Sequence, residues 1–160
     1  MTSPNLSSLF QSLDSSAAEL NQISDAVNTS LETIEKKLNS LNIGFDIWHP
    51  TPVSRLDPQG GAGLRENTTE IVGHFGFSVV DGRWCLSFKK LRRVSGFFEG
   101  YEDQPFTNEY AEGQVATLLK QSREIRTNAL EAMPEFLALV VEKIQEKARK
   151  LAEAKQQLGL

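Results

Sequence analysis

Residues Thr69–Val94 read TEIVGHFGFSVVDGRWCLSFKKLRRV, and this stretch decides the fold. Two runs of alternating residues are joined by Asp81-Gly82, a pair that favours a two-residue type I′ turn. Such a turn sets Val79 opposite Trp84, Phe77 opposite Leu86 and Phe75 opposite Phe88. All six share one face, because side chains in a strand alternate with period 2. The other face carries His74, Gly76, Ser78, Cys85, Ser87 and Lys89. One face is a core and the other is small and polar, as in an antiparallel sheet covered on one side.

Upstream of the hairpin, Ile43, Phe45 and Ile47 alternate with Gly44, Asp46 and Trp48, which predicts a strand over 43–48 beside it. The two prolines of His49-Pro50-Thr51-Pro52 exclude a central strand there. Residues 54–67, SRLDPQGGAGLREN, read as a long mobile loop. Gly60-Gly61-Ala62-Gly63 within it lacks the Lys-Ser/Thr ending of a phosphate-cradling loop and precedes a strand, not a helix. Downstream, Phe97-Phe98-Glu99-Gly100-Tyr101 forms either a short fourth strand or a loop folding back over the sheet. The sheet therefore spans 43–101, with three or four antiparallel strands.

Long helices are expected on both sides. Ser3-Pro4 suits a cap and a first helical position, and Asn42-Ile43-Gly44 an end, so the first helix spans 3–41. Leu6, Leu13, Leu20, Val27, Ile34 and Leu41 recur every seventh residue, and Leu9, Phe10, Ala17, Ile23, Leu31 and Leu38 widen the row. At ~1.5 Å per residue the helix is roughly 55 Å long, more than a compact domain of this size buries. Its many serines and asparagines are poor helix formers, so it needs a partner. At the other end, Thr107-Asn108-Glu109 predicts a helix start, firm from about Gln114, and a helical region over 108–158. Val115, Leu118, Leu119 and Ile125 mark its face, and Leu130, Leu137, Ile144, Leu151 and Leu158 repeat every seventh residue. Pro134 either kinks one helix or begins a second. The expected fold is α+β in one domain: a long N-terminal helix, a three- or four-stranded antiparallel sheet around a central hairpin, and a long C-terminal helix bent at Pro134.

Composition narrows the function. The chain has 160 residues, is 39% hydrophobic and 24% charged, and carries a formal net charge of −4, which suits a globular protein and argues against non-specific nucleic-acid binding. Five acids and two bases lie in 1–41, against six acids and eight bases in 114–160, which favours packing the two helices together. One cysteine, Cys85, leaves no internal disulfide and no cysteine cluster for zinc. No run spans a membrane, and MTSPNLSSLF lacks the features of a signal peptide, so a cytoplasmic location is expected. No pattern for a cofactor or a metal is present.

Three candidate sites stand beside plainer readings. Lys120, Arg123 and Arg126 recur at helical spacing and, as one face, suit a phosphate or carboxylate. The plainer reading is a solvated face, or an ion pair with Glu99, Glu102 or an acid of the first helix. Lys89, Lys90, Arg92 and Arg93 can extend that anion site, with Phe97, Phe98 or Tyr101 stacking a flat ring; alternatively they protect an edge strand by charge. Asp46, His74 and Ser78 or Cys85 match an orienter, base and nucleophile by residue type alone. His49 and His74 are the only histidines and lack metal-site spacing, so structural roles are expected.

LNSLNIGFDIW at the first helix–strand join, GFSVVDGRWCLSF in the hairpin and LLKQSREIRTNALEAMPEFL in the last helix resemble small uncharacterised bacterial and phage helix–sheet–helix proteins, over residues 30–145. That resemblance implies the fold and carries no activity. At the level of architecture alone, the chain is similar to phage sponge proteins that oppose Thoeris immunity by sequestering a cyclic nucleotide. That likeness implies oligomers in which Arg123, Arg126 and Phe97 or Phe98 hold a nucleotide-like ligand. The expected function is a non-enzymatic oligomer assembled through its heptad-patterned helices; the alternative is a binding module or sponge for a small anionic ligand.

Overall fold

The computed structural model describes residues 5–56, 67–98 and 104–160. They form helix α1 (Leu6–Ser40), strands β1 (Ile47–Trp48), β2 (Ser54–Arg55), β3 (Thr68–Val80), β4 (Arg83–Phe98) and β5 (Gln104–Thr117), a 3-10 turn (Leu118–Lys120), and helix α2 (Arg123–Gln157). The α+β class matches the expectation: two long helices and an antiparallel sheet.

The hairpin has the predicted register, with Val79 opposite Trp84, Phe77 opposite Leu86 and Phe75 opposite Phe88. Asp81 and Gly82 sit at φ of 50° and 77°, the two positive values a type I′ turn requires. β1 and β2 both lie along the outer edge of β3, followed across the sheet by β4 and β5. The strand expected over 43–48 is shorter, Ile47–Trp48, because Asn42 and Gly44 turn the chain at positive φ just before it. Ile43 and Phe45 pack against the core instead. The head of the expected loop over 54–67 is β2, paired with Gly73 and Val72. Residues 57–66 and 99–103, which include the glycine run and Tyr101, lie outside the described residues.

The largest correction concerns residues 104–117. They form β5, not the start of a helix. β4 runs on past Val94 to Phe98, and the chain returns along it from Gln104 to Thr117. The outer edge of β4 is a row of backbone donors and acceptors that must be satisfied, and pairing there overrides the helical spacing of Val115, Leu118 and Leu119. Gly113, at φ 74°, lies in the bulge where 113–115 oppose Lys89 alone. A first helical turn does not accommodate that backbone, whereas a bulge does.

Asn5 caps α1, its Oδ1 accepting from the Ser7 N–H at 3.1 Å; Ser3, the expected cap, lies outside the described residues. Ser122 caps α2 by accepting from the Ile125 N–H at 3.3 Å. Of the two possibilities at Pro134, one continuous helix is observed. Proline supplies no N–H, so the carbonyl of Leu130 loses its helical partner.

Both helices cover the apolar face of the sheet. Leu31 and Leu38 of α1 join Ala129, Met133, Phe136 and Val140 of α2 in one core. Against them the sheet presents Phe75, Phe77, Leu86 and Phe88. The small polar face is closed differently. The Trp48 ring lies over Gly76, where an added Cβ would meet the ring and the Ile47 carbonyl. The Lys89 ammonium stands 4.2 Å from the centre of that ring, and the Ser78 hydroxyl donates to Ser87 Oγ at 2.8 Å.

Candidate functional site

Only the C-terminal half of α1 is packed. Its buried side chains are Ser24, Leu31 and Leu38, whereas residues 5–23 are all exposed. The row Leu6, Leu13, Leu20, Val27, Ile34 and Leu41 is therefore not the buried seam: Leu6 is 65% and Leu13 61% exposed, and Val27 and Ile34 are half-buried. Residues seven apart lie nearly above one another on a helix. Ser24, Leu31 and Leu38 continue a row from Phe10 and Ala17, so the face that is buried below runs on uncovered above. Leu9, Leu20 and Ile23 lie on the same broad face and are about half exposed. We call residues 6–23 the arm.

Contacts between the helices fix where the arm begins. Arg123, the first residue of α2, donates from Nε to Ser24 Oγ at 3.2 Å and from Nη2 to Asn21 Oδ1 at 3.0 Å. Arg126, one turn on, donates to Asn28 Oδ1. At the other end, Lys147 of α2 lies 5.4 Å from the ring of Phe45, just past the end of α1. The helices therefore run the same way and are staggered. The arm projects beyond the start of α2, and residues 147–160, all exposed, extend beyond the end of α1.

Of the residues predicted for an anion site, the fold brings Arg123 and Arg126 together against α1. Among the described residues neither has a carboxylate within ion-pair distance, and Arg126 Nε is buried without an acceptor. Their acceptors are amides and hydroxyls of α1. Two cations in the first turns of α2 oppose its dipole, and Glu124, which favours it, lies between them. Sequence reasoning missed Asn21, Ser24 and Asn28; the available signal was a serine in a row otherwise of apolar side chains.

The other predicted residues lie elsewhere. Lys120 is in the 3-10 turn, not on the helical face of Arg123 and Arg126, because β5 delays the start of α2. It lines a groove of about 630 Å³ with Glu35, Asn39, Asp81, Arg83 and Cys85. In that groove β4 extends beyond the end of β5 at Ser87–Thr117, and the Glu35 carboxylate accepts the bared N–H of Leu86 at 2.8 Å. Arg93 is held between Glu70 at 3.2 Å and Glu109 at 2.9 Å. Arg92 points to the opposite face, 5.4 Å from the Tyr110 ring centre, so the two do not form one cluster. Burial pushes the Lys89 ammonium below its ordinary value. Lys90 lines a cleft of about 270 Å³ with Ile71, Ser122, Glu124 and Ile125. Phe97 is exposed opposite Pro105 at the outer end of β4, and Phe98 pairs through its backbone with Gln104.

The nucleophile–base set does not assemble among the described residues. His74 Nδ1–H donates to the His49 carbonyl at 3.0 Å, and Ser78 is bonded to Ser87. Burial pulls the His74 imidazole down from its ordinary value and pushes the Cys85 thiol up. His49 Nδ1–H donates to the Thr51 carbonyl at 2.9 Å, and its ring stacks on Phe75. Both histidines thus hold the turn after β1 against the sheet. Among the described residues no group of His, Cys, Asp and Glu can hold a metal ion, and no helix is long and apolar enough to cross a membrane. No family model, curated protein or solved structure matches this chain.

Proposed function

We propose that this chain is a non-enzymatic interaction protein that associates with itself through its long helices. The observation that carries this reading is the arm: Leu6, Leu9, Phe10, Leu13, Leu20 and Ile23, all exposed on the continuation of a buried helical face. Soluble monomers rarely leave contiguous apolar patches of more than a few hundred Å² uncovered. A helix opened by Ser7, Ser8, Ser15, Ser16 and Asn21 also needs tertiary contacts to persist in water. The buried free thiol of Cys85 is compatible with a reducing, cytoplasmic setting. Sedimentation and native mass spectrometry test the reading. A discrete oligomer is expected at micromolar concentration, and a monomer there removes it.

The arginine pair supports a second reading, an anion-binding module for a phosphate- or carboxylate-bearing ligand. Guanidinium groups without a carboxylate, beside a helix N-terminus, are a natural partner for such groups. A nucleotide panel and inorganic phosphate, tested by thermal shift, address it. Stabilisation that disappears in a folded Arg123→Ala variant supports the reading, and the lack of a shift with every ligand counts against it.

A further inference from the structure

We infer that the partner covering the arm is the arm of a second copy of this chain, laid antiparallel across it about a two-fold axis. The inference rests on the self-association reading and specifies its interface. The two projecting helix ends differ in what they need. The α2 end, KARKLAEAKQQ over 147–157, consists of strong helix formers. It is braced by Glu146–Lys150 at 3.1 Å and Glu146–Lys143 at 3.6 Å, and its exposed large apolar residues are sparse, with Leu151 and Leu158 a heptad apart. Such a helix stands in water by itself. The arm has the opposite character, with poor helix formers and six large exposed apolar side chains in 6–23.

A second arm fits that face in size, phase and charge. Those six side chains expose roughly 100 Å² each, so two arms together cover on the order of 1,200 Å², the size at which stable interfaces begin. In heptad terms Leu6, Leu13 and Leu20 hold one core position, and Leu9, Ser16 and Ile23 the other. Laying 6–23 antiparallel on itself over its full length sets Leu6 against Ile23, Leu9 against Leu20 and Leu13 against Ser16. Each layer joins one position of the first kind to one of the second, so full overlap and correct phase coincide. The only charges of the arm, Asp14 and Glu19, then face Ser15 and Phe10, and no like charges oppose each other. The contact is isologous, so it closes at two copies.

Cysteine cross-linking tests the arrangement. Leu9→Cys and Leu20→Cys variants are made separately, checked for fold by circular dichroism, mixed to allow exchange and then oxidised. Wild-type protein reports any contribution from Cys85. A cross-linked dimer only in the mixture is expected, because each introduced cysteine lies ~16 Å along the axis from its own copy in the partner, too far for a disulfide. Cross-linking of either variant alone overturns the antiparallel arrangement. A wild-type dimer by native mass spectrometry with no cross-link in the mixture overturns the arm interface but leaves self-association standing. A wild-type monomer overturns both.

Discussion

Leu31 and Leu13 lie on the same side of α1, yet one is fully buried and the other 61% exposed, and that contrast sets up a decisive pair of substitutions. Leu31→Ala removes a side chain packed among Phe75, Phe136 and their neighbours. The lost transfer energy of about three carbons at ~0.8 kcal/mol each, with a cavity contribution, gives about 3–4 kcal/mol of destabilisation. For a chain of this size that lowers Tm by roughly 8–14 °C. Leu13→Ala opens no cavity inside the subunit, and alanine is the better helix former, so the subunit itself changes by about 0.5 kcal/mol or less. Between subunits the same change removes about 1.5 kcal/mol of burial per arm, or about 3 kcal/mol for a two-fold dimer, a ~100-fold weaker Kd. Denaturant unfolding at several protein concentrations separates the effects: the Leu31→Ala loss persists on dilution, and the Leu13→Ala loss appears only where the wild type is associated. Leu13→Ala matching Leu31→Ala at the lowest concentration would show that the arm is packed within its own subunit. Equal Kd for wild type and Leu13→Ala would remove the arm from the interface.

Gly76→Val should prevent stable folding, because its side chain would occupy the space of the Trp48 ring and the Ile47 carbonyl; a cooperative melt near the wild-type Tm refutes that packing. Pro134→Ala restores the donor for the Leu130 carbonyl at an exposed site and should raise stability by about 1–3 kcal/mol, read by urea unfolding; no change or a loss would show that the proline geometry is needed. His74 is held below its ordinary value near 6.5 mainly by burial, so the folded state binds fewer protons than the unfolded chain just below that pH. Its contribution to stability is complete above that value and is lost as pH falls through the lower, folded one. His74→Asn, which can still donate toward the His49 carbonyl, should flatten the stability profile on the acid side of 6.5, and an unchanged profile assigns the acid sensitivity elsewhere.

The centre of the fold was legible because it is local. Asp81-Gly82 and the alternation of residues 75–88 specify turn, register and core face within one hairpin, and β3 and β4 follow them. Both long helices were legible for a related reason, since periodic apolar rows need no distant information. The fate of 104–117 was not. Helical spacing and strand pairing competed there, and the open edge of β4 decided the outcome. That decision displaced the start of α2 to Arg123 and separated Lys120 from the two arginines.

The site divides in the same way. Residue type and spacing alone mark Arg123 and Arg126 as a pair and the first helix as longer than its own domain can cover. Tertiary structure alone decides that asparagines and a serine of α1 receive those guanidiniums, that Glu70 and Glu109 hold Arg93, and that the covered part of α1 begins near Ser24. The physical reason is reach. Turn chemistry and amphipathic periodicity act between residues a few positions apart, whereas the acceptors of Arg123 lie about a hundred residues earlier in the chain and meet it only after both helices settle on the sheet.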